Sequence, residues 1–434
     1  MAPETVAIII LIGGLLFLIA LRFPITFAVG IASVACLLYL DLPLLLIAQQ
    51  IVRGTSSFSL MAVPFFITMG ALLAVGGIGD KLVDLANALV GWLRGGMAQV
   101  NVIDSVIFGG ISGSAAADVA SIGSVIIPLM KKNGYKEDFT GALTMSSAIQ
   151  GLITPPSHNM VIYATAAGGV SVGALFLAGY LPGAVLAVIM MVTVYLLSVK
   201  RKYPKGDKFD LRVLGREMIR CFWALAVIFI VVVGVVAGIF TATESAAIAV
   251  IYCLIVSIYV YKGLKWKQIW SVLNNAIEVL SIVMVLIAIS AAFGYCLTIL
   301  RVPALAAEVV TGITDNPFVI FLLINIILLL LGSIMDMAPV ILIATPILLP
   351  LATSAGMSPI TFGIMIVLNC GIGLITPPVG TVLFITSSVA KVPVEKLIRA
   401  NWPFYLALLA ALLLITYVPA LTLTLPRIFM GYAG

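Results

Sequence analysis

Charged side chains are scarce in this chain. They make up 9% of its 434 residues, and histidine occurs once, at His158. A soluble domain carries nearer a quarter of its residues as Asp, Glu, Lys and Arg, so an ordinary water-soluble globular fold is excluded. Cysteine patterning is also missing. Cys36, Cys221, Cys253, Cys296 and Cys370 form no CxxC pair, and four of them lie inside apolar runs. They read as small core residues, which excludes a disulfide or metal framework. No phosphate-binding glycine loop, metal-ligand cluster or catalytic triad stands in the sequence.

What the chain has in abundance is apolar surface: 63% hydrophobic residues and a mean hydropathy of +1.26. Runs long enough to cross a bilayer recur along the whole length. The N-terminus, MAPETVAIIILIGGLLFLIALRFP, carries Glu4 and no basic residue before its apolar run, the reverse of a signal peptide. It reads as a retained first helix with its N-terminus outside. Ten spans are expected, at 3–21, 24–47, 54–77, 138–165, 171–198, 221–240, 245–262, 269–299, 358–390 and 401–424. Two further apolar stretches, 97–131 and 317–352, are interrupted near the middle by small and polar residues and read as re-entrant hairpins. The amphipathic pieces Asp80–Arg94 and Pro303–Asn316 precede them and are expected along the membrane surface.

Basic residues test this scheme. The cytoplasmic loops collect Arg22, Lys81, Arg94, Lys131, Lys132, Lys136, eight basic residues from Lys200 to Arg220, Lys262, Lys265, Lys267, Lys391, Lys396 and Arg399. That places 20 of the 23 inside and leaves Arg53, Arg301 and Arg427 outside. Both termini then fall outside. The basic balance reflects topology and not nucleic-acid binding, and the 199–220 loop reads as an anchor on anionic lipid headgroups.

The stretch GLITPP occurs at Gly151–Pro156 and again at Gly373–Pro378, 222 residues apart. The same offset pairs Gly110 with Gly332, Pro128 with Pro350 and Gly141 with Gly363, without a gap. It also carries the first two spans onto the sixth and seventh. The chain therefore reads as two copies of one unit, 1–198 and 221–434, joined by the 199–220 loop. Five crossings per copy turn the second upside down, an inverted-topology repeat of the kind secondary transporters use.

Each GLITPP breaks a helix, because paired prolines remove amide donors and clash with the preceding turn. In hydrocarbon each unpaired backbone group costs several kcal/mol, so freed carbonyls need a user. Na⁺ is the natural one. The sodium-binding set is read as Ser112, Ser114, Gly151, Thr154, Pro155, Gly332, Asp336, Gly373, Thr376 and Pro377. Ser114, Ser157, Asn159, Arg301 and Asp336 are read as contacting substrate. Asp118 and Asp336 are taken as the carboxylates of the two hairpin cores, each costing about 2.5–3.5 kcal/mol at mid-bilayer and hence marking a functional path. Blander roles stand beside these. Serines in apolar helices often bond back to the preceding turn, and Asp336 suits a helix N-cap. His158 suits a polar spacer, Thr241–Glu244 a capping box, and Arg301 either snorkels outward or grips a carboxylate.

SGSAAADVASIGSVIIPLMKKNGY, FTATESAAIAV, GSIMDMAPVILIATPILLP and the paired GLITPP motifs, spread over essentially the whole chain, resemble the large membrane subunit of tripartite ATP-independent periplasmic (TRAP) transporters. The resemblance implies an elevator-type secondary transporter taking up a small carboxylate, such as a C4-dicarboxylate or an acidic sugar, with Na⁺ as coupling ion and no other cofactor. It implies a small four-helix membrane subunit, expected as a separate chain, and a periplasmic substrate-binding protein, all at the bacterial inner membrane. The scaffold would be 1–77 and 221–299, the transport domain 97–198 and 317–424. A divalent-anion symporter type of Na⁺/carboxylate carrier, working without a binding protein, is the alternative. A channel or an intramembrane enzyme fits less well.

Overall fold

A computed structural model of the chain describes residues 3–432 except 22, 57 and 207, and only the backbone of 59, 307, 309–311 and 313. The expected placement of Arg22 thus lies outside the described residues. Apart from one isolated bridge between Arg94 and Lys205, the described regular structure is helical. In chain order it comprises α1 (Pro3–Ala20), α2 (Ile25–Tyr39), α3 (Leu45–Thr55), α4 (Ala62–Val75), α5 (Gly79–Val90), α6 (Gly96–Ser112) and α7 (Ala115–Lys132). Next come α8 (Glu137–Ala148), the single turn α9 (Gln150–Ile153), α10 (His158–Ala166), α11 (Val172–Lys200), α12 (Leu211–Val236) and α13 (Ala242–Ile255). The last eight are α14 (Trp266–Ile299), α15 (Val302–Ile313), α16 (Pro317–Ile334), α17 (Met337–Ser354), α18 (Pro359–Leu374), α19 (Thr381–Ala390), α20 (Val394–Tyr417) and α21 (Ala420–Met430).

Eight of the described helices are long and apolar enough to cross a membrane, or nine if the bent pair α4–α5 counts as one span. This is a polytopic, all-α membrane architecture. The helices differ from the ten expected spans where local chemistry cuts an apolar run. The 24–47 helix stops at Tyr39, because Asp41 takes a left-handed φ of 55° and Pro43 cannot continue the ladder. The 54–77 span is split. Thr55 and Ser56 turn their hydroxyls back onto the Val52 carbonyl, which ends α3, and a 3-10 turn at Phe58–Met61 leads into α4. Gly76 and Gly77, the latter at φ 73°, then allow the 81° bend into α5. The 199–220 loop is shorter than expected. Asp210 caps α12 through the Arg212 amide at 2.8 Å, so 211–220 is helix.

Helix ends recur at the repeat offset. Ser112 and Ile334 end α6 and α16, Ala115 and Met337 start α7 and α17, and Val172 and Val394 start α11 and α20, each pair 222 residues apart. The copies are not identical. The counterpart of the broken α3–α4 segment is α14, an unbroken helix of 34 residues.

Packing places α8, α9 and α18 at the centre. Every residue from Phe139 to Ala148 and from Ile360 to Leu374 is buried. The two chains cross closely: a Cβ on Gly371 would lie 2.9 Å from Leu152 Cδ1 and 3.0 Å from Ile149 Cγ2. The five cysteines are all free and buried, and the Thr241–Glu244 capping box is formed.

Candidate ion and substrate site

Both GLITPP breaks sit against a hairpin turn. In the first, α6 ends where Gly113 takes a left-handed φ of 62° and donates its amide to Gly109 O at 2.7 Å, a conformation glycine adopts without steric cost. Ser114 is extended and caps α7, its Oγ accepting from the Ala117 amide at 3.3 Å. The Ser114 amide donates to Ser112 Oγ at 3.4 Å. The turn lies on the broken segment: a Cβ on Gly113 would be 3.1 Å from Pro156 O and Ser157 Cα, and one on Gly110 would be 3.3 Å from Pro155 O. Asn159 Nδ2 donates to Gly113 O at 3.4 Å, and Ser157 Oγ is fully buried without a partner. The break thus gathers Ser112, Ser114, Gly151, Thr154, Pro155, Ser157 and Asn159.

In the second break, a Cβ on Gly332 would be 3.4 Å from Gly373 Cα. The Val379 amide donates to Ser333 O at 3.0 Å, and Ser333 Oγ bonds back to Leu330 O at 2.8 Å. Asp336 is exposed and caps α17, Oδ1 accepting from the Met337 amide at 3.0 Å. Asp336 stands at this tip with Thr376 and Pro377 in the facing break. Both Pro155–Pro156 and Pro377–Pro378 are cis.

The unused acceptors are the chemistry of the site. Among the described residues no donor reaches the carbonyls of 151–156 in the first break. Thr154 Oγ1 donates to Gln150 O at 2.8 Å and Thr376 Oγ1 to Ile372 O at 2.7 Å, so each hydroxyl keeps its lone pairs for another partner. Carbonyl and hydroxyl oxygens without a positive charge nearby suit a hard cation. Gly373 departs from expectation. Its carbonyl accepts from the Thr376 amide at 2.9 Å, because the chain turns tightly there, and the free oxygens at this level belong to Leu374, Thr376 and Pro377.

The two breaks differ in cover. Residues 151–157 are buried, whereas Pro377, Pro378 and Val379 are exposed. At the first break α11 presents glycines: a Cβ on Gly179 would be 2.3 Å from Ile153 O, and one on Gly183 would be 3.2 Å from Thr154 Oγ1. The repeat places Asn401 and Tyr405 at those positions. Tyr405 OH donates to Ile375 O, the counterpart of the free Ile153 carbonyl.

Arg301 is not brought to either tip by any hydrogen bond or ion pair of the described residues. It is exposed at the α14–α15 junction, with a left-handed φ of 51°. The first hairpin contains a second carboxylate that sequence reasoning passes over. Asp104 and Asp118 are both 0% exposed, and none of their four oxygens has a hydrogen-bond partner. The signal is present, since Asp104 is the one charged residue of the arm Gly96–Ser112. Ser290 is also missed. Its buried, unpartnered hydroxyl lines a cavity of about 190 Å³ with Gly54, Thr165 and Leu342.

A hairpin turn seated on a proline-broken helix, twice, is the geometry of the site, and comparison with known proteins supplies its family. Residues 12–421 match the family described as "Tripartite ATP-independent periplasmic transporter, DctM component". The chain belongs to the DctM family. It is similar to the 2,3-diketo-L-gulonate TRAP transporter large permease protein YiaN of Escherichia coli, at 34% identity over 96% of this chain and 98% of the relative. It is 38% identical to the C4-dicarboxylate TRAP transporter large permease protein DctM of Pseudomonas aeruginosa, covering 88% of this chain and 89% of that one. It is 36% identical to the sialic acid TRAP transporter large permease protein SiaM of Vibrio cholerae, covering 89% and 90%. The crystal structure of the Alcanivorax borkumensis YdaH transporter shares the fold, with a TM-score of 0.62 at 15% identity over 100% of this chain and 99% of that one. DctM proteins are transport permeases and not enzymes.

Proposed function

We propose that this DctM chain carries a small carboxylate across the bacterial inner membrane, driven by Na⁺, after delivery by a periplasmic substrate-binding protein. A small four-helix membrane subunit supports it, in keeping with relatives called large permease proteins. The observation that carries the reading is the pair of hairpin turns packed on helix breaks: no described donor reaches the carbonyls of 151–156 in the first, and those of Leu374, Thr376 and Pro377 stay free in the second. Each break, with its turn, forms one Na⁺ site. The repeat is inverted, the hairpins 97–131 and 317–352 are re-entrant, and both termini are periplasmic. Helices 1–77 and 221–299 form a scaffold past which 97–198 and 317–424 move as an elevator, with α5 and α15 lying along the membrane surfaces as links.

Substrate binds where the tips converge, at Ser114, Ser157, Asn159 and Asp336, with Arg301 as the carboxylate partner when the links shift. Relatives of this chain are named for C4-dicarboxylate, sialic acid and 2,3-diketo-L-gulonate, and a hydroxyl-rich site suits that class. The energetics favour more than one ion. A charge moving down 100 mV gains about 2.3 kcal/mol. A single Na⁺ carried with a monoanion is electroneutral and forgoes that gain; two Na⁺ use it.

The test is uptake into proteoliposomes containing this chain and its membrane partner, with a panel of periplasmic binding proteins. Uptake of a carboxylate only when a binding protein and external Na⁺ are both present supports the reading. Equal uptake with no binding protein would instead assign a self-sufficient Na⁺/carboxylate carrier.

A further inference from the structure

The underside of α5 forms a charged pocket with the first half of α12 and the segment just after α13, apart from the two helix breaks. Its volume is about 430 Å³, and it is lined by Lys81, Asp84, Glu217, Arg220, Trp223 and Tyr261, with Ile219 and Val260 at its edge. Its polar groups are held in place. Lys81 Nζ sits 3.9 Å from the Tyr261 ring centre. Tyr261 OH donates to Arg220 O at 3.0 Å and accepts from the Ala224 amide at 3.1 Å. Arg220 Nη1 pairs with Glu217 Oε1 at 3.0 Å. The Glu217 side chain is 9% exposed and that of Arg220 56%, so the guanidinium still faces outward with donors to spare.

Two cations, Lys81 and Arg220, face two carboxylates, Asp84 and Glu217, but the pairing is uneven. Asp84 makes no ion pair among the described residues. Partial desolvation, then the carboxylates of Glu217 and Asp80, raise the Asp84 carboxyl above the usual range, against the opposing pull of Arg220. The pocket thus leaves a carboxylate open to a cation at Asp84 and offers an anion partner at Arg220. Its rim is apolar and exposed: Ile219 is 77% exposed, Trp223 45% and Val260 41%. An indole and aliphatic side chains around a polar pocket are the composition of a membrane interface.

We propose that this pocket binds the headgroup of a zwitterionic phospholipid with a primary ammonium, that is, phosphatidylethanolamine. The ammonium donates to Asp84 and the phosphate accepts from Arg220, while the acyl chains run down Ile219, Trp223 and Val260. Phosphatidylcholine has no N–H to give Asp84. Phosphatidylglycerol brings no cation and meets two carboxylates, Asp84 and Glu217, with the charge of Asp80 near the first. The lipid would brace α5 against α12, where the link helix leaves the first scaffold segment.

The test uses full-length chain purified in detergent, stripped of lipid and offered the three phospholipids with matched acyl chains, with retention read by native mass spectrometry. Phosphatidylethanolamine is expected to be retained roughly threefold or more over either competitor, the size of one partly exposed charge contact. Asp84→Asn should abolish that preference, and Arg220→Gln should lower retention. Soluble glycerophosphoethanolamine should not displace the lipid. Asp84 is exposed and makes no ion pair among the described residues, so its variant decides the matter if Arg220→Gln fails to fold. Equal retention of all three lipids, a preference for phosphatidylglycerol, or a phosphatidylethanolamine preference that survives Asp84→Asn overturns the proposal.

Discussion

Gly109 lies against Gly151 with no room for a side chain between them. A Cβ on Gly109 would fall 2.1 Å from Gly151 Cα, and one on Gly151 would fall 2.6 Å from Gly109 Cα. In the second unit a Cβ on Gly373 would fall 2.4 Å from the Gly332 carbonyl carbon. Backbone touches backbone at each site, so neither neighbour can yield by changing rotamer. Gly151→Ala and Gly373→Ala should each destabilise the fold by about 1–3 kcal/mol and reduce uptake severely. Gly215→Ala, in open space on α12, should be neutral or slightly stabilising. Thermal melting together with uptake checks this; a Gly151→Ala protein with unchanged melting and transport would show that the contact is not close.

Asp336 caps α17, and substitution separates that role from the proposed contact with Na⁺. Asparagine keeps an oxygen to accept from the Met337 amide but removes the charge; alanine removes both. Asp336→Asn should melt near the parent temperature and show weakened Na⁺ dependence. Asp336→Ala should lose about 1 kcal/mol of stability in addition, the usual worth of a helix N-cap. If Asp336→Asn transports with unaltered Na⁺ affinity, the residue is a cap alone.

Tyr405 makes the two breaks unequal. Its hydroxyl occupies the Ile375 carbonyl, while the carbonyl of Ile153, the counterpart, is free and faces Gly179. Tyr405→Phe frees the Ile375 oxygen and should change the apparent Na⁺ affinity several-fold without preventing folding. Na⁺ titration of uptake reads this, and an unchanged titration would mean the carbonyl lies outside the ion site.

Lys131 ties the base of the first hairpin to the second broken helix. Its Nζ donates to Ala390 O at 2.9 Å and pairs with Glu137 at 3.1 Å. The Lys131 side chain is 27% exposed and that of Glu137 63%. Lys131→Met should therefore cost about 1–2 kcal/mol, and Glu137→Gln under about 1 kcal/mol, because solvent screens the ion pair. Equal losses in a melting experiment would reverse that assignment.

The hairpin turns and breaks were legible because their causes are local. Glycines at 109, 110 and 113 permit a close, left-handed turn, Ser114 and Asp336 cap the returning arms α7 and α17, and adjacent prolines end a helix wherever they stand. The 222-residue register was equally legible, and the helix ends fall on it. Tertiary facts were not. Nothing local to GLITPP says that glycines of α11 cover one copy and leave it buried, or that Tyr405 reaches into the other. The split of 54–77 was hidden because Thr55, Ser56 and Phe58 read as tolerable in an apolar run, and only their hydrogen bonds reveal the break. Arg301 was chosen for its chemistry, which says nothing about where the α14–α15 junction points.

Two oxygen-lined breaks, each taking one Na⁺, would couple more than one ion to each carboxylate carried. Na⁺-dependent uptake in proteoliposomes under a clamped membrane potential measures this directly. Two-ion coupling predicts a Hill coefficient for Na⁺ above one and faster uptake when the interior is negative. A Hill coefficient of one with no response to potential, or uptake indifferent to Na⁺, would contradict it.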